Sequence, residues 1–431
     1  MRNPRSTATR SPGRKGDRSV AAPTELIVGL DIGTTKVCAI IGEFNETGQL
    51  EIIGVGTTPS RGLRRGVVIN IESTVRSIQN AVESAELMSG REVHGVYTGV
   101  AGGHIEGINS RGVVAVTGKD REITKEDVDR VIDAAKAIVI PMDREVLHVI
   151  PQEFIVDQQG GIKNPVGMVG VRLEAEAHII TGAVTSAQNI VKCVNRAGFK
   201  VNDIVLEPLA SSKAVLTADE RELGVLLIDL GGGTTDVLVH LEGAPYHTEV
   251  LSIGGEQVTS DVSIMLKTPL EVAEKIKKEH GCCYVPAVLE DDEVVIPGVG
   301  GRPPRKIGRR SMAEIIQPRM GEILGMVKEQ IEKKGYLHLL GGGVVLTGGG
   351  SLLSGAGELA SEIFGLPARV GYPVKLGGLV EEYHDPMFST GVGLVMYGAT
   401  REGVEGFDMS SSESTFTSVW ERMRTWFKDF F

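Results

Sequence analysis

Aromatic residues, cysteines and long apolar runs are all scarce in this 431-residue sequence. Only 4% of residues are aromatic, and the four cysteines (Cys38, Cys193, Cys282 and Cys283) show no metal-ligand spacing. No uncharged apolar stretch is long enough to predict a membrane-spanning helix, and the N-terminus lacks the apolar core of a signal peptide. We therefore expect a cytoplasmic protein whose thiols are reduced.

Basic residues are outnumbered, with 45 Lys and Arg against 56 Asp and Glu. This balance argues against a nucleic-acid-binding protein. Basic residues concentrate only in residues 1–24, where no apolar periodicity supports packing. We interpret this segment as a disordered basic tail, solvated or weakly attracted to an anionic surface. The length predicts about two to four domains in the remaining chain.

One strand–turn–strand pattern occurs twice. In the first copy Asp31 precedes the turn Gly33-Thr34-Thr35-Lys36, and in the second Asp229 precedes Gly231-Gly232-Gly233-Thr234-Thr235. A third run, Gly348-Gly349-Gly350, also follows an apolar strand. Backbone N–H groups in glycine turns can approach phosphate closely, and a carboxylate at a strand end can hold the water shell of Mg²⁺.

A single glycine turn is more often a structural hairpin than a ligand site, but three such turns together predict nucleotide binding. The P-loop and dinucleotide spacings are absent, so a different phosphate clamp is expected. Helical periodicity near residues 72–90 and 122–140 alternates with apolar strands. This alternation predicts an α/β fold in which helices cover largely parallel sheets.

These turns make the chain resemble the actin, Hsp70 and sugar-kinase superfamily and, more narrowly, the bacterial FtsA family. The matching stretches include VGLDIGTTKV, HVIPQEFIVDQQGGIKNPVG, VLLIDLGGGTTDV, GGRPPRKIGRR and VVLTGGG, and they run from about residue 25 to 400. The resemblance implies a two-lobed, actin-like ATPase fold with an inserted FtsA-type subdomain and a C-terminal amphipathic helix.

The resemblance also implies a domain order. The expected parts are the first actin-like domain (25–100 and 181–210), the inserted subdomain (101–180), the second actin-like domain (211–240 and 335–402), a partner-binding subdomain (241–334), a linker (403–414) and the helix (415–431).

Several site residues follow from the same resemblance. Asp31 and Asp229 match positions that hold Mg²⁺ through water, and the two turns match the phosphate-binding turns. Glu207 matches the position that orients the attacking water, although it could instead cap the helix it begins. Glu274 and Lys277 match residues that meet ribose and adenine, although i,i+3 charge pairing would also explain them. Gly348, Gly349 and Gly350 match the adenosine turn.

A basic cluster (Arg302, Arg305, Arg309 and Arg310) follows in GGRPPRKIGRR, where two prolines argue against a helix. It could be a solvated loop. The resemblance implies that this neighbourhood receives the acidic C-terminal peptide of the tubulin-like division protein FtsZ, since guanidinium groups suit carboxylates.

The last residues form one apolar stripe at helical spacing. Its members are Phe416, Val419, Trp420, Met423, Trp426, Phe427, Phe430 and Phe431. A seventeen-residue helix spans only about 25 Å, so we expect it to lie in the membrane interface instead of crossing it. Docking on this protein or a partner is the alternative.

The sequence thus predicts an ATP- and Mg²⁺-binding, filament-forming protein that tethers FtsZ to the cytoplasmic face of the membrane at the septum. We expect self-association, contact with later division proteins and, at most, slow ATP hydrolysis. A small-molecule kinase, a chaperone-type ATPase and a pilus-assembly homologue are the rival interpretations.

Overall fold

The computed structural model of the chain describes residues 26–289, 292–298 and 303–401. Four features predicted from the sequence lie outside these residues: the tail 1–24, Arg302, the linker 403–414 and the amphipathic helix 415–431.

The first lobe begins with a three-stranded meander. Its elements are β1 (Ile27–Ile32), β2 (Lys36–Phe44), β3 (Leu50–Pro59), β4 (Leu63–Arg64), β5 (Val67–Val68), α1 (Ile71–Ser89) and β6 (Gly95–Val100). β2 is antiparallel to β1 and β3, whereas β6 runs parallel to β1. The predicted helix near 72–90 is confirmed as α1, whose N-cap Asn70 accepts the Ser73 N–H and whose apolar face packs on the sheet.

A four-stranded antiparallel sheet is inserted after β6. It contains β7 (Glu106–Ala115), α2 (Lys125–Ala135), β8 (Arg144–Val156), β9 (Gln159–Ile162) and β10 (Arg172–Ala183), with the strand order β7-β10-β8-β9. α2 is shorter than the predicted 122–140 segment and begins at a capping box formed by Thr124 and Asp127. It covers one face of the sheet, where Val131 packs near Phe154 and Ile179.

The chain then returns to the first sheet and starts the second. The elements are α3 (Val184–Ala197), β11 (Lys200–Leu206), α4 (Glu207–Val215), α5 (Ala218–Leu223), β12 (Val225–Leu230), β13 (Thr235–Leu241) and β14 (Ala244–Leu251). β11 pairs with β6 in parallel, and β12, β13 and β14 form an antiparallel meander.

The remaining elements build the top and the far side of the second lobe. They are α6 (Gly255–Leu266), α7 (Leu270–His280), β15 (Glu293–Ile296), β16 (Arg305–Gly308), α8 (Arg309–Lys333), β17 (Val344–Thr347), α9 (Ala356–Phe364), β18 (Ala368–Val370), β19 (Gly377–Gly378), α10 (Val380–Tyr383) and α11 (Ser389–Arg401).

The two large sheets have the orders β11-β6-β1-β2-β3-β19 and β14-β13-β12-β17-β18. The prediction of largely parallel sheets is therefore wrong, because each sheet is mixed. The reason is local: a tight turn can join only antiparallel neighbours, and such turns connect β1 to β2 and β12 to β13.

α4 and α11 lie between the two sheets and give the lobes a shared core. This core includes Ile40 from the first sheet and Leu227 from the second. The approach of α11 is close, since a Cβ on Gly393 would lie 1.9 Å from the Ala210 carbonyl oxygen. Within residues 335–402, β19 pairs with β3 and α11 packs on β1, so this part of the chain also contacts the first lobe. β14 lies at the edge of the second sheet.

Candidate nucleotide-binding site

The two glycine turns close with the same geometry. The Gly33 N–H donates to the Lys36 carbonyl at 3.0 Å, and the Gly231 N–H donates to the Thr234 carbonyl at 3.0 Å. The turns therefore have equal length, and Lys36 occupies the position of Thr234. The first lobe places a cation where the second places a hydroxyl.

The two turns face each other across the cleft. A Cβ on Gly232 would lie 2.3 Å from Thr35 Cγ2, and a Cβ on Gly233 would lie 2.7 Å from Thr34 Oγ1. The Thr-Thr pair of the first turn therefore stands opposite glycines, so the two Thr-Thr pairs of the sequence are not structural equivalents. Glycine at 232 and 233 is what permits this approach.

Asp31 and Asp229 end the central strands of the two lobes and are held differently. Asp31 Oδ2 lies 3.9 Å from Lys36 Nζ. Asp229 Oδ2 accepts the Ser211 hydroxyl at 2.6 Å and the Thr390 hydroxyl at 3.3 Å. Two hydroxyls thus fix one carboxylate, whereas the other faces an ammonium group.

Four buried or partly buried carboxyl groups share the floor of the cleft: Asp31, Glu207, Asp229 and Asp236. Burial raises the pKa of Asp31 to about 6, against the opposing effect of Lys36. Burial also raises the pKa of Asp229. The pKa values of Glu207 and Asp236 lie well above their usual range, first because of burial and then because of the neighbouring carboxylates. Because burial and mutual repulsion disfavour the ionised forms of these groups, a nearby cation would stabilise them.

Asp236 is a site residue that the sequence analysis missed. Its Oδ2 accepts the Thr234 hydroxyl at 3.0 Å, whereas its Oδ1 is buried with no hydrogen-bond partner in the described part of the chain. It faces Asp229 across the hairpin, as Cys38 faces Asp31 in the first lobe. The signal was present in the sequence, since an acid in a buried strand directly after a glycine turn is unusual.

Glu207 is the first residue of α4 and lies beside Gly99, where a Cβ would be 2.8 Å from Glu207 Cγ. The N-cap of α4 is Leu206, which makes no side-chain capping hydrogen bond, and Glu207 is the acidic residue of the first helical turn. The preceding Leu206 N–H donates to His148 Nε2 at 3.0 Å. Burial lowers the pKa of His148 to about 3, which keeps the ring neutral and able to accept this bond.

Glu274 and Lys277 form an ion pair of 2.7 Å on α7. Lys277 Nζ also donates to the Gly255 carbonyl at 3.1 Å and to Thr259 Oγ1 at 2.9 Å, so it ties α7 to the start of α6. Burial lowers the pKa of Lys277. For Glu274 burial acts upward, but the Lys277 ammonium brings the net pKa down. The ion pair is thus observed, and Lys277 contacts Gly255, whose N–H donates to Gly231 of the second turn.

The third glycine run packs against the end of β12, directly before the second turn. Gly348 has φ +78°, and a Cβ there would lie 2.2 Å from Asp229 Oδ1. A Cβ on Gly350 would lie 2.8 Å from Leu230 Cβ, and Gly349 lies between the two. Beyond this run is a cavity of about 880 Å³ lined by Tyr284, Ser351 and Arg369, among others, and by none of the predicted nucleotide-binding residues.

The basic cluster is divided between two elements. Arg305 lies in β16 and donates to the Leu266 carbonyl, while Arg309 begins α8 and donates to the His280 carbonyl at 3.0 Å and to Asp292 Oδ2 at 3.1 Å. The prediction that this segment avoids a helix holds only up to residue 308, because α8 starts immediately afterwards.

The residues that the structure describes contain no group of three or more His, Cys, Asp or Glu side chains arranged to coordinate a metal directly. Among the same residues no helix is long and apolar enough to cross a bilayer.

Comparisons with known proteins decide the family. The model of the cell division protein FtsA matches residues 226–393, and the model of the SHS2 domain inserted in FtsA matches residues 102–181. The FtsA protein of Pseudomonas aeruginosa is 48% identical over 408 residues, which are 93% of this chain and 97% of that protein. The Escherichia coli K12 FtsA protein is 44% identical over 88% of this chain and 91% of its own length. The chain belongs to the FtsA family.

Solved structures show the same fold at low sequence identity. A PilM–PilN type IV pilus biogenesis complex aligns with a TM-score of 0.62 and 16% identity, covering 88% of this chain and 99% of the other. MreB5 of Spiroplasma citri, solved with bound ADP, aligns with a TM-score of 0.54 and 14% identity over 88% and 97% of the two chains. The fold is thus the actin-like ATPase fold with the FtsA insert.

The family membership also separates the functional alternatives. FtsA proteins are cell-division proteins, and this chain is an actin-like member of that family. The family match does not favour the kinase alternative. The pilus-assembly alternative is not favoured either, because the pilus protein shares only the fold.

Proposed function

We propose that the chain binds ATP with Mg²⁺ between its two glycine turns and uses the bound state to build a membrane-attached division filament. The observation that carries the first part is the pair of facing turns above four carboxyl groups and one lysine. The unpaired Asp236 Oδ1 and the surplus negative charge fit a cation. In this proposal Asp31 and Asp229 hold Mg²⁺ through water, and the metal offsets phosphate charge.

Each turn has a defined role toward the triphosphate. Backbone N–H groups of Gly33 to Lys36 and of Gly231 to Thr235 bind phosphate oxygens, and the Lys36 ammonium adds a charge-assisted contact. Glu274 and Lys277 with Gly348 to Gly350 hold the ribose and adenine. Glu207 orients a water, and its raised pKa suits it to accept a proton in slow hydrolysis.

The basic cluster is proposed to receive the FtsZ C-terminal peptide. Beside Leu266, whose carbonyl binds Arg305, three apolar side chains are exposed: Ile264 (68%), Met265 (63%) and Leu270 (58%). Together with the Arg305 guanidinium, they offer apolar contact beside a positive charge, which suits a peptide carrying both acids and apolar residues.

Residues 415–431 are proposed to attach the chain to the cytoplasmic face of the cell membrane as an interfacial helix, after the linker 403–414. Several tails on one filament then act together through effective concentration. The domain division given above, the filament itself and contacts with later division proteins at the septum belong to the same proposal.

Liposome co-sedimentation with ATP, with and without FtsZ, tests this function. We expect the full chain to pellet with anionic liposomes and to recruit FtsZ. A variant lacking residues 415–431 should stay in solution while still binding ATP. Continued pelleting of that variant would remove the helix from the proposal, and failure of the full chain to bind Mg-ATP would remove the nucleotide site.

The partner site needs a separate experiment. Arg302→Glu should weaken binding of an FtsZ C-terminal peptide, measured by fluorescence anisotropy, because it reverses one guanidinium charge. Lys192→Glu on the exposed face of α3 is the matched control. Equal peptide affinity in both variants would contradict the assignment.

A further inference from the structure

Polar side chains of the inserted subdomain reach across to β14 of the second lobe. Gln152 Nε2 donates to the Pro245 carbonyl at 3.0 Å, and Asn109 Nδ2 donates to the Tyr246 carbonyl at 3.1 Å. The insert is joined to the first lobe through β6 and α3, so these bonds connect the two lobes directly.

A histidine completes the contact. His178 Nδ1 lies 2.6 Å from Asn109 Oδ1, an acceptor, so this nitrogen carries the proton. Nε2 must then accept the Thr248 hydroxyl, 2.9 Å away. Burial lowers the pKa of His178 to about 3, so the ring stays in this neutral form. We call Asn109, Gln152, His178 and Thr248 the clasp.

Three members of the clasp are excluded from water. Gln152 is 3% exposed, His178 is 1% exposed and Thr248 is 2% exposed. A broken bond here leaves a buried polar atom unpaired, which costs more than losing a bond at the surface. The packing is also close, because a Cβ on Gly107 would lie 2.5 Å from Thr248 Oγ1.

β14 leads from the clasp directly to the second phosphate turn. Immediately after β14, the Ile253 carbonyl accepts the Thr235 hydroxyl at 2.8 Å. The next N–H groups hold the turn: Gly255 donates to the Gly231 carbonyl at 2.9 Å and Glu256 to the Gly232 carbonyl at 2.8 Å. A shift of β14 must therefore displace the turn.

We propose that the clasp holds the two lobes closed over the nucleotide and thereby sets how fast nucleotide leaves. Separation of the lobes has to move β14 away from the insert. This movement breaks the three bonds that cross to β14, namely Gln152 to Pro245, Asn109 to Tyr246 and Thr248 to His178. The same bonds also act in the other direction: when nucleotide holds the cleft closed, they keep the insert in contact with β14. The four clasp residues are positioning residues, because they do not touch the proposed nucleotide site and act on it only through β14. This inference rests on the ATP binding proposed above.

The test is the release rate of a fluorescent ATP analogue from the full-length chain in Mg²⁺, chased with excess ATP. Thr248→Val keeps the shape but removes the hydroxyl, and loss of one net hydrogen bond predicts release faster by about fivefold to tenfold. Thr248→Ser retains the hydroxyl and should release the analogue at the wild-type rate. Gly107→Ala should act as a wedge between Thr248 and His178 and should also accelerate release.

Ser110→Ala is the matched control. It removes a 2.8 Å bond from Ser110 Oγ to the Ala135 carbonyl within the insert, so it perturbs the same subdomain without touching β14. Its release rate should stay at the wild-type value. Wild-type release from both Thr248→Val and Gly107→Ala, with the analogue still bound, would overturn the clasp. A wild-type chain that binds no analogue would instead overturn the proposed nucleotide site.

Discussion

The two glycine turns have the same hydrogen-bonded frame but carry different side chains. Both are closed by an N–H to carbonyl bond of 3.0 Å, yet the first presents Lys36 and Cys38 where the second presents Thr234 and Asp236. The hairpin requires none of these four side chains, because each turn closes with its own set. These side-chain differences can therefore serve ligand binding without affecting the hairpin.

The difference divides the site by charge. The first turn brings an ammonium group to the cleft, and the second brings an extra carboxyl group together with glycines that leave room for the opposing threonines. In the proposed ATP site an anionic triphosphate and a cation have opposite requirements, and each turn would supply a contact for one of them. The repeated backbone thus provides geometry, while the divergence between the copies provides the site.

The largest effect should come from the strand-end acids. Asp229→Ala and Asp31→Ala should each lower Mg-dependent ATP affinity by roughly 10–100-fold, the range seen when outer-shell metal partners are lost. Asp229→Ala should be the more severe, because it also removes two hydrogen bonds, those that Asp229 Oδ2 accepts from the Ser211 and Thr390 hydroxyls. Isothermal titration calorimetry at fixed Mg²⁺ measures both. Asp219→Ala, at an exposed acid on α5, should bind like the wild type; unchanged affinity in both test variants would refute the metal assignment.

The lysine of the first turn should come next. Lys36→Met should weaken ATP binding by about tenfold, as expected for a charge-assisted bond, and should leave adenosine binding unchanged. Thr234→Val, at the equivalent position of the second turn, should have the smaller effect because it removes no charge. Equal losses for ATP and adenosine in Lys36→Met would indicate a folding defect and not a phosphate contact, and far-UV circular dichroism distinguishes these cases.

The contact between the turns can be altered sterically. Gly232→Ala places a Cβ 2.3 Å from Thr35 Cγ2, so the turns must separate, and we expect ATP affinity to fall by roughly fivefold for about 1 kcal/mol of overpacking. Thr35→Ala removes the opposing atoms, so the double variant should recover part of the loss. Additive losses in a double-mutant cycle would show that the two turns do not meet in solution.

The smallest effect should come from a buried acid outside the turns, Asp203, and it should change the pH dependence of stability. Burial raises the pKa of Asp203 from 3.8 to about 7, although the Tyr397 hydroxyl and Arg401 oppose the shift. The folded state therefore holds more protons than the unfolded state, and this residue's contribution to stability is lost as pH rises from about 4 to 7.

Asp203→Asn should remove the loss of folding stability between about pH 4 and 7, because the amide does not ionise. Relative to the wild type, its melting temperature should be higher at pH 7.5 than at pH 5, by roughly 2–4 °C for about 1 kcal/mol. Differential scanning fluorimetry without nucleotide measures the difference. Asp219→Asn should follow the wild-type profile, and a parallel profile for Asp203→Asn would contradict the raised pKa.

Much of the proposed nucleotide site followed from local sequence patterns. Asp31 and Asp229 each end an apolar strand before glycine, and the spacing within a few residues is enough to predict such a turn. Helix α1 was predictable for the same reason, since its apolar spacing and its Gly90 stop are local features. The motifs also identified the family, because several long stretches match it together.

The tertiary structure decided which residues meet. Lys36 is equivalent to Thr234 because of the strand register and the hydrogen bond that closes each turn. Alignment of the two Thr-Thr pairs in the sequence would give a different and incorrect equivalence. The environment of Asp236 includes Asp31, more than two hundred residues earlier in the chain, and the clasp joins His178 to Thr248 across 70 residues. Local patterns determine backbone conformation over short distances. Contacts between distant segments exist only after the sheets pack, so no short-range pattern in the chain encodes them.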